Sequence, residues 1–137
     1  MTILVRDDGF HDEDWDAGFA AFDTLHGTNA ARAIDVPGET APEDLQDMLQ
    51  RIALIRVTFP AFSDGRGFTL AQALRRMGFA GRLRAAGHLL ADQYAMARRC
   101  GFDEVEIDAA MAARQPEAQW RARADWREGG YQARLRG

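Results

Sequence analysis

Hydrophobic and polar positions alternate unevenly along this chain, and the pattern is sharpest between residues 32 and 108. Residues 2 to 6, Thr-Ile-Leu-Val-Arg, predict a short strand ending at the Asp7-Asp8-Gly9 turn. The stretch from 10 to 31 is acidic and then Ala-rich, with Trp15, Phe19 and Phe22 at helical spacing, and reads as a loose amphipathic helix. Residues 33 to 36 predict a strand closed by Pro37-Gly38. Thr40-Ala41-Pro42-Glu43 then has the form of a capping box, in which the hydroxyl reaches the third helical amide and the carboxylate reaches back. The helix it opens would bury Leu45, Met48, Leu49 and Ile52, three and four apart. From 52 to 59 only Arg56 and Thr58 are polar, as in a strand of a parallel sheet covered by helices.

Ten residues, Phe59-Pro60-Ala61-Phe62-Ser63-Asp64-Gly65-Arg66-Gly67-Phe68, join that strand to the next helix. A strand-to-helix turn needs only about two or three, so the extra aromatics, glycines and charged pair mark a working surface. Thr69-Leu70-Ala71-Gln72 reads as a second capping box, with Leu70, Ala73, Leu74 and Met77 as the buried stripe. Gly78 stops that helix in a Schellman-type end, with Phe79 as its hydrophobic partner. Arg75-Arg76-Met77-Gly78-Phe79 is echoed by Arg98-Arg99-Cys100-Gly101-Phe102, and short strands follow at 83 to 86 and 105 to 107. Successive helix-to-strand units of one sheet produce such an echo.

The expected fold is therefore α/β: a small, mainly parallel sheet of successive βα units with right-handed crossovers, open or a half-barrel, with helices packed on it. A half-barrel exposes strand edges and would favour a homodimer. The length of 137 residues suits a single domain. Within it, 1–31 is a poorly patterned N-terminal segment, 32–108 the βα core and 109–137 a helical Arg-rich tail. Asp108 can cap a short Ala-rich helix and Pro116 can start another. From Trp120 onward no core stripe is evident, which leaves the tail free to pack on a neighbouring subunit.

Composition narrows the function classes. All seventeen basic residues are Arg, a bias ascribed to coding composition rather than to function. Residues 1 to 51 hold twelve acids against three Arg, and the remainder nine acids against fourteen Arg, so the second half is expected to face anions. The single cysteine, Cys100, excludes an internal disulfide, a Cys-x-x-Cys redox pair and a Cys-ligated cluster within one chain, which fits a cytoplasmic location. There is no signal-like start and no run of eighteen apolar residues, so neither export nor a membrane partner is expected. The basic tail with Trp120, Trp126 and Tyr131 is set against a pI near 5.3 and no stacking platform, so no nucleic acid is expected.

Ligands of parallel sheets bind where connections leave the carboxyl ends of strands. Two such connections are legible. The first carries Phe62, Ser63, Asp64, Gly65, Arg66 and Gly67; the second runs from Arg84 through Gly87 and His88 into a helix bearing Asp92 and Gln93. Free amides at two adjacent helix starts, with Arg66 and Arg84, would form a small-anion site. Each element also has a plainer reading: Asp64 to Gly67 as a tight turn, His88 as a structural or solvent-exposed histidine, Arg75, Arg76, Arg98 and Arg99 as ligands of terminal carbonyls. Cys100 falls on a stripe with Leu89, Gln93 and Met96, as a small buried residue with an inert thiol. His11 and His26 join no cluster with metal-ligand spacing, so no metal is expected. No Gly-x-Gly-x-x-Gly, Walker-type loop or Gly-x-Ser-x-Gly elbow is present, and Gly65-Arg66-Gly67 is too short for a dinucleotide loop.

Three strings carry a resemblance: Phe59-Pro60-x-Phe62-x-Asp64-Gly65-Arg66-Gly67-Phe68, Leu83-Arg84-Ala85-x-Gly87-x-x-Leu90-x-Asp92-Gln93, and Arg98-Arg99-Cys100-Gly101-Phe102-Asp103. Together, over about residues 40 to 108, they resemble a small bacterial family known as domain of unknown function 934. The resemblance implies a setting in assimilatory sulfate and sulfite reduction, with sulfite reductase or phosphoadenylyl-sulfate reductase as partner. The family bears an oxidoreductase label, but no catalytic residues carry over from it. The chain shows no carrier fingerprint for electrons; a noncovalent flavin at an unmarked phosphate site stays compatible with the sequence, and an iron–sulfur cluster does not. The expectation is an accessory protein with an anion-binding edge; a flavin- or nicotinamide-dependent oxidoreductase and a non-catalytic docking module are the alternatives.

Overall fold

The computed structural model describes residues 2–21 and 32–126. The expectations for Phe22, His26, Tyr131 and the rest of the tail beyond 126 lie outside the described residues. Seven strands, β1 (Thr2–Arg6), β2 (Gly9–Asp12), β3 (Ala20–Ala21), β4 (Ala33–Pro37), β5 (Leu54–Phe59), β6 (Arg82–Gly87) and β7 (Glu104–Asp108), form one open sheet in the order β2-β1-β7-β6-β5-β4-β3. From β3 to β7 all neighbours are parallel; β1 returns antiparallel on β7 and pairs β2 as a hairpin. The helices are α1 (Arg66–Arg76), α2 (Tyr94–Cys100), α3 (Ala109–Arg114) and α4 (Glu117–Arg121). Among the described residues no helix is long and apolar enough to cross a membrane.

Sequential strand order forces every crossover onto one side of the sheet, and period-2 alternation then gives the strands two unlike faces. Val5, Ile34, Val36, Ile55, Val57, Phe59, Leu83, Ala85, Val105 and Ile107 point into a single core. The same core takes Phe68, Leu70, Ala71 and Leu74 of α1, Tyr94, Ala97 and Cys100 of α2, Met111 of α3 and Trp120 of α4. Opposite them, one register row crosses four strands as Asp35, Arg56, Arg84 and Glu104. The face turned away from the helices is thus charged.

The echoed motif is a structural repeat. At each copy glycine takes positive φ, +98° at Gly78 and +112° at Gly101, where a side chain would be strained. Phe79 N donates to Leu74 O and Phe102 N to Ala97 O, closing both Schellman ends at 3.0 Å. Arg75 and Arg98 then donate to the carbonyls of Phe79 (3.0 Å) and Phe102 (2.6 Å), and Arg75 reaches Gly81 O and Gly101 O as well. These arginines tie helix ends to the strands that follow.

Five local expectations are corrected. Residues 10 to 21 are not helical: β2, an irregular stretch and β3 occupy them, because Trp15 Nε1 bonds Gly18 O and Phe19 lies on a guanidinium instead of in a helix stripe. Thr40 caps nothing. Residues Pro42–Met48 form a 3-10 helix entered from Ala41 with no side-chain cap, closed by Asp44 N to Ala41 O. Thr69 is inside α1, which starts three residues earlier at the Asp64–Gly65 turn. The buried stripe of α2 is Tyr94, Ala97 and Cys100, whereas Met96 is 53 % exposed. Trp120, in the tail, is a core residue whose Nε1 donates to Gln115 O.

Candidate functional site

The parallel strands end together at Pro37, Phe59, Gly87 and Asp108, and the two long connections meet over this edge. His88 N donates to Phe59 O (2.9 Å), which draws the chain after β6 against the end of β5. That close approach requires Gly87: its φ is +99°, and a Cβ there would stand 2.4 Å from Phe59 O. Gln93 clips the connections together, its Nε2 donating to Phe62 O and its Oε1 accepting from Leu90 N, both at 2.8 Å. The Phe62 and His88 rings meet edge to face at 5.3 Å. Phe62, Gly87, His88 and Gln93 are therefore brought together as the sequence suggested.

Other predicted members are placed differently. Asp64 accepts from Arg66 N and Nε (both 3.0 Å) and Nη2 (2.6 Å), a self-contained turn beside exposed Ser63. Bonds from the Arg66 side chain and backbone amide hold the Asp64 carboxyl down at about 2. Gly65 is the residue before α1, and Gly67 lies against the Phe59 ring, where a Cβ would come within 2.5 Å. Asp92 pairs with Arg123 at 2.7 Å. Arg84 is not in the connection at all: it sits mid-strand in β6, fully buried, on the charged face.

The open helix starts expected of an anion cradle are largely closed by the chain itself. Arg66 N goes to Asp64, Phe68 N to Gly65 O, Leu90 N to Gln93, Ala91 N to Gln115 Oε1 and Gln93 N to Leu90 O. Those amides do not fit a flavin or nicotinamide phosphate. Among the described residues no group of three or more His, Cys, Asp or Glu is arranged to hold a metal ion.

A cavity of about 300 Å³ opens at the same edge, between the ends of β6 and β7 and the start of β1. Thr2, Gly87, His88, Glu106, Ile107, Asp108, Met111 and Arg114 line it. Of its carboxylates, Glu106 is paired with Arg56 (3.0 Å) and Arg84 (2.8 Å), whereas Asp108 is exposed and uses Oδ1 to cap α3 through Met111 N (2.8 Å). Arg114 is exposed and is in no ion pair among the described residues; His88, also exposed, shares the lining. Larger cavities, of about 640 and 490 Å³, lie at the other end of the strands. The first holds Asp47 as its one charged residue, and in the second Arg75 and Arg98 are spent on backbone carbonyls, so the smaller cavity has the better chemistry. Sequence reasoning missed Arg114, Glu106 and Thr2; a strand-end position for Ile107-Asp108 was the available signal.

The expected charge division between halves is spent internally. Asp7 accepts from Arg98, Glu13 from Arg84, Asp14 from Arg6 and Arg82, and Asp35 from Arg56. Arg56, Arg82, Arg84 and Arg98 of the second half thus face acids of the first, not outside anions. Burial opposes ionisation of Arg84, but Glu13, Glu106 and Glu104 outweigh it and hold the guanidinium charged well above its ordinary range.

Against known proteins, residues 33–137 match the model of a bacterial protein family of unknown function, DUF934. The chain belongs to this family. No curated protein and no solved structure matches the chain. The DUF934 match starts at β4, so the β1–β2 hairpin and the segment that supplies Glu13, Asp14 and Phe19 lie outside it.

Proposed function

We propose that this DUF934 protein binds a small oxyanion at the strand-end cavity and serves assimilatory sulfite reduction as an accessory protein. The observation that carries the reading is Arg114, an exposed guanidinium without an ion-pair partner among the described residues, lining with His88 a cavity at the carboxyl edge of the parallel strands. Arg114 supplies the charge, and Thr2 and His88 supply hydrogen bonds. The Phe62 ring and the Asp64–Arg66 pair occupy the connections above. Sulfite or the phosphosulfate end of a sulfonucleotide suits a guanidinium fork, and sulfite reductase or phosphoadenylyl-sulfate reductase is the partner the family setting suggests.

The test is a thermal-shift titration with sulfite, sulfate, phosphate and adenosine phosphosulfate on wild type, Arg114→Ala and Arg66→Ala. Stabilisation of wild type by one of these anions, lost in Arg114→Ala and retained in Arg66→Ala, supports the cavity. Equal shifts in wild type and Arg114→Ala would remove it from consideration. A docking role draws on one observation of its own, the exposure of Phe62 beside His88. Co-purification with sulfite reductase that is lost in Phe62→Ser would favour that role.

A further inference from the structure

Among the described residues, the charged face of the sheet is covered by a short piece of chain, residues 13–19, which runs between β2 and β3 without regular structure. It approaches as a ligand would. Glu13 presents both oxygens to both terminal nitrogens of Arg84, at 2.7 and 2.9 Å, a fork-to-fork pair. Asp14 bridges Arg6 (2.7 Å) and Arg82 (2.5 Å), and the Phe19 ring lies 3.7 Å from the Arg56 guanidinium carbon. All four arginines belong to strands; all three capping side chains belong to the strap.

Without the strap, Arg6, Arg56, Arg82 and Arg84 would be left to the three carboxylates they pair with on β4 and β7, Asp35, Glu104 and Glu106, one positive charge in excess within this network. Arg84 would keep Glu104 and Glu106 but lose the fork-to-fork carboxylate on its two terminal nitrogens, so the face favours an acidic occupant. Exchange of one such occupant for another is close to neutral, because the displaced strap regains water for Glu13 and Asp14. The strap's advantage is tethering, an effective concentration of about millimolar for a short linker. An incoming segment that adds contacts of its own can overcome that. The family match begins after the strap, so the strap is not part of what defines the family.

We propose that this arginine face is a docking surface for an extended acidic and aromatic segment of a partner protein, occupied in the free chain by its own residues 13–19. The site is distinct from the strand-end cavity, although Glu106 touches both.

The experiment uses the full chain and a fluorescent peptide with the sequence of residues 10 to 21. Glu13→Ala/Asp14→Ala/Phe19→Ala, which frees the face, should bind the peptide at least tenfold more tightly than wild type. A peptide carrying Glu13→Gln and Asp14→Asn should bind that variant at least tenfold more weakly. No binding to a folded triple variant, or equal binding of the neutralised peptide, would overturn the proposal. Should the triple variant not fold, hydrogen exchange on wild type decides: millimolar peptide should speed exchange at residues 13–19 and leave β5 and β6 unchanged, and an unaltered strap would overturn the proposal. A wild-type dimer that dissociates in Phe19→Ala would instead assign the face to a second copy of this chain and refute the partner.

Discussion

Arg84→Met tests whether the charged face holds the fold together or merely decorates it. Arg84 is fully buried and bonds Glu104 (2.7 Å), Glu106 (2.8 Å) and Glu13 (2.7 and 2.9 Å). Methionine keeps the apolar stem and leaves little void, so the loss is electrostatic. Removing one member of a buried ion pair costs about 3–5 kcal/mol, because the other charge stays behind unpaired. Here Glu104 retains Arg6 and Arg82, Glu106 retains Arg56, and Glu13 can turn to water. The lower end applies, about 3 kcal/mol, or a fall in Tm of roughly 12 °C for a domain of this size. Urea denaturation followed by circular dichroism should show a lower midpoint with an unchanged slope. Arg84→Met/Glu104→Leu should be less stable than Arg84→Met alone by about 1.5 kcal/mol, since Glu104→Leu takes away the carboxylate shared by Arg6 and Arg82. A loss below about 1 kcal/mol for Arg84→Met, or a double variant more stable than the single one, would refute this reasoning.

Further predictions concern pH, backbone and thiol. Burial alone would raise the Asp14 carboxyl, but the Arg6 and Arg82 guanidiniums outweigh it and hold the group at about 2, below an ordinary 3.8. Its contribution to stability is therefore complete above about pH 4 and lost as pH falls toward 2; Asp14→Asn should flatten the urea midpoint over that window, and an unaltered acid limb would contradict the pairing. Gly87→Ala should destabilise by about 2 kcal/mol or more, since it combines positive φ with a contact on Phe59 O; a loss below about 0.5 kcal/mol in denaturant titration would show that the β5–β6 edge is looser than described. Burial pushes the Cys100 thiol up, so a disulfide reagent should label it slowly in the native protein and at once in urea. Rapid native labelling would place Cys100 outside the core.

Strong local chemistry was legible in the sequence. The two Gly-Phe helix ends could be read because a positive-φ glycine followed by a large apolar residue has few other uses, and both closed as expected. The α/β class followed from the apolar runs at β5 and β7. Helix starts were harder: Thr40 and Thr69 have the right residues three places from Glu43 and Gln72, yet a 3-10 turn at Pro42 and the Asp64 turn displaced both. Arg84 was misread because a mid-strand charge looks like a loop residue until its row-mates Asp35, Arg56 and Glu104 are known to be in register. Pairing between strands decides that, and a linear pattern does not contain it. Arg114 was hidden for a similar reason, since it reaches the cavity only through the turn of α3 back over the strand ends.

The most direct test of the account is isothermal titration of the wild-type protein and of Arg114→Ala with sulfite, sulfate and adenosine phosphosulfate at low ionic strength. The account predicts a single saturable site for one of these anions on wild type, weakened at least tenfold in Arg114→Ala and unchanged in Arg66→Ala. No saturable binding of any of the three by wild type, or equal affinity in Arg114→Ala, would contradict it.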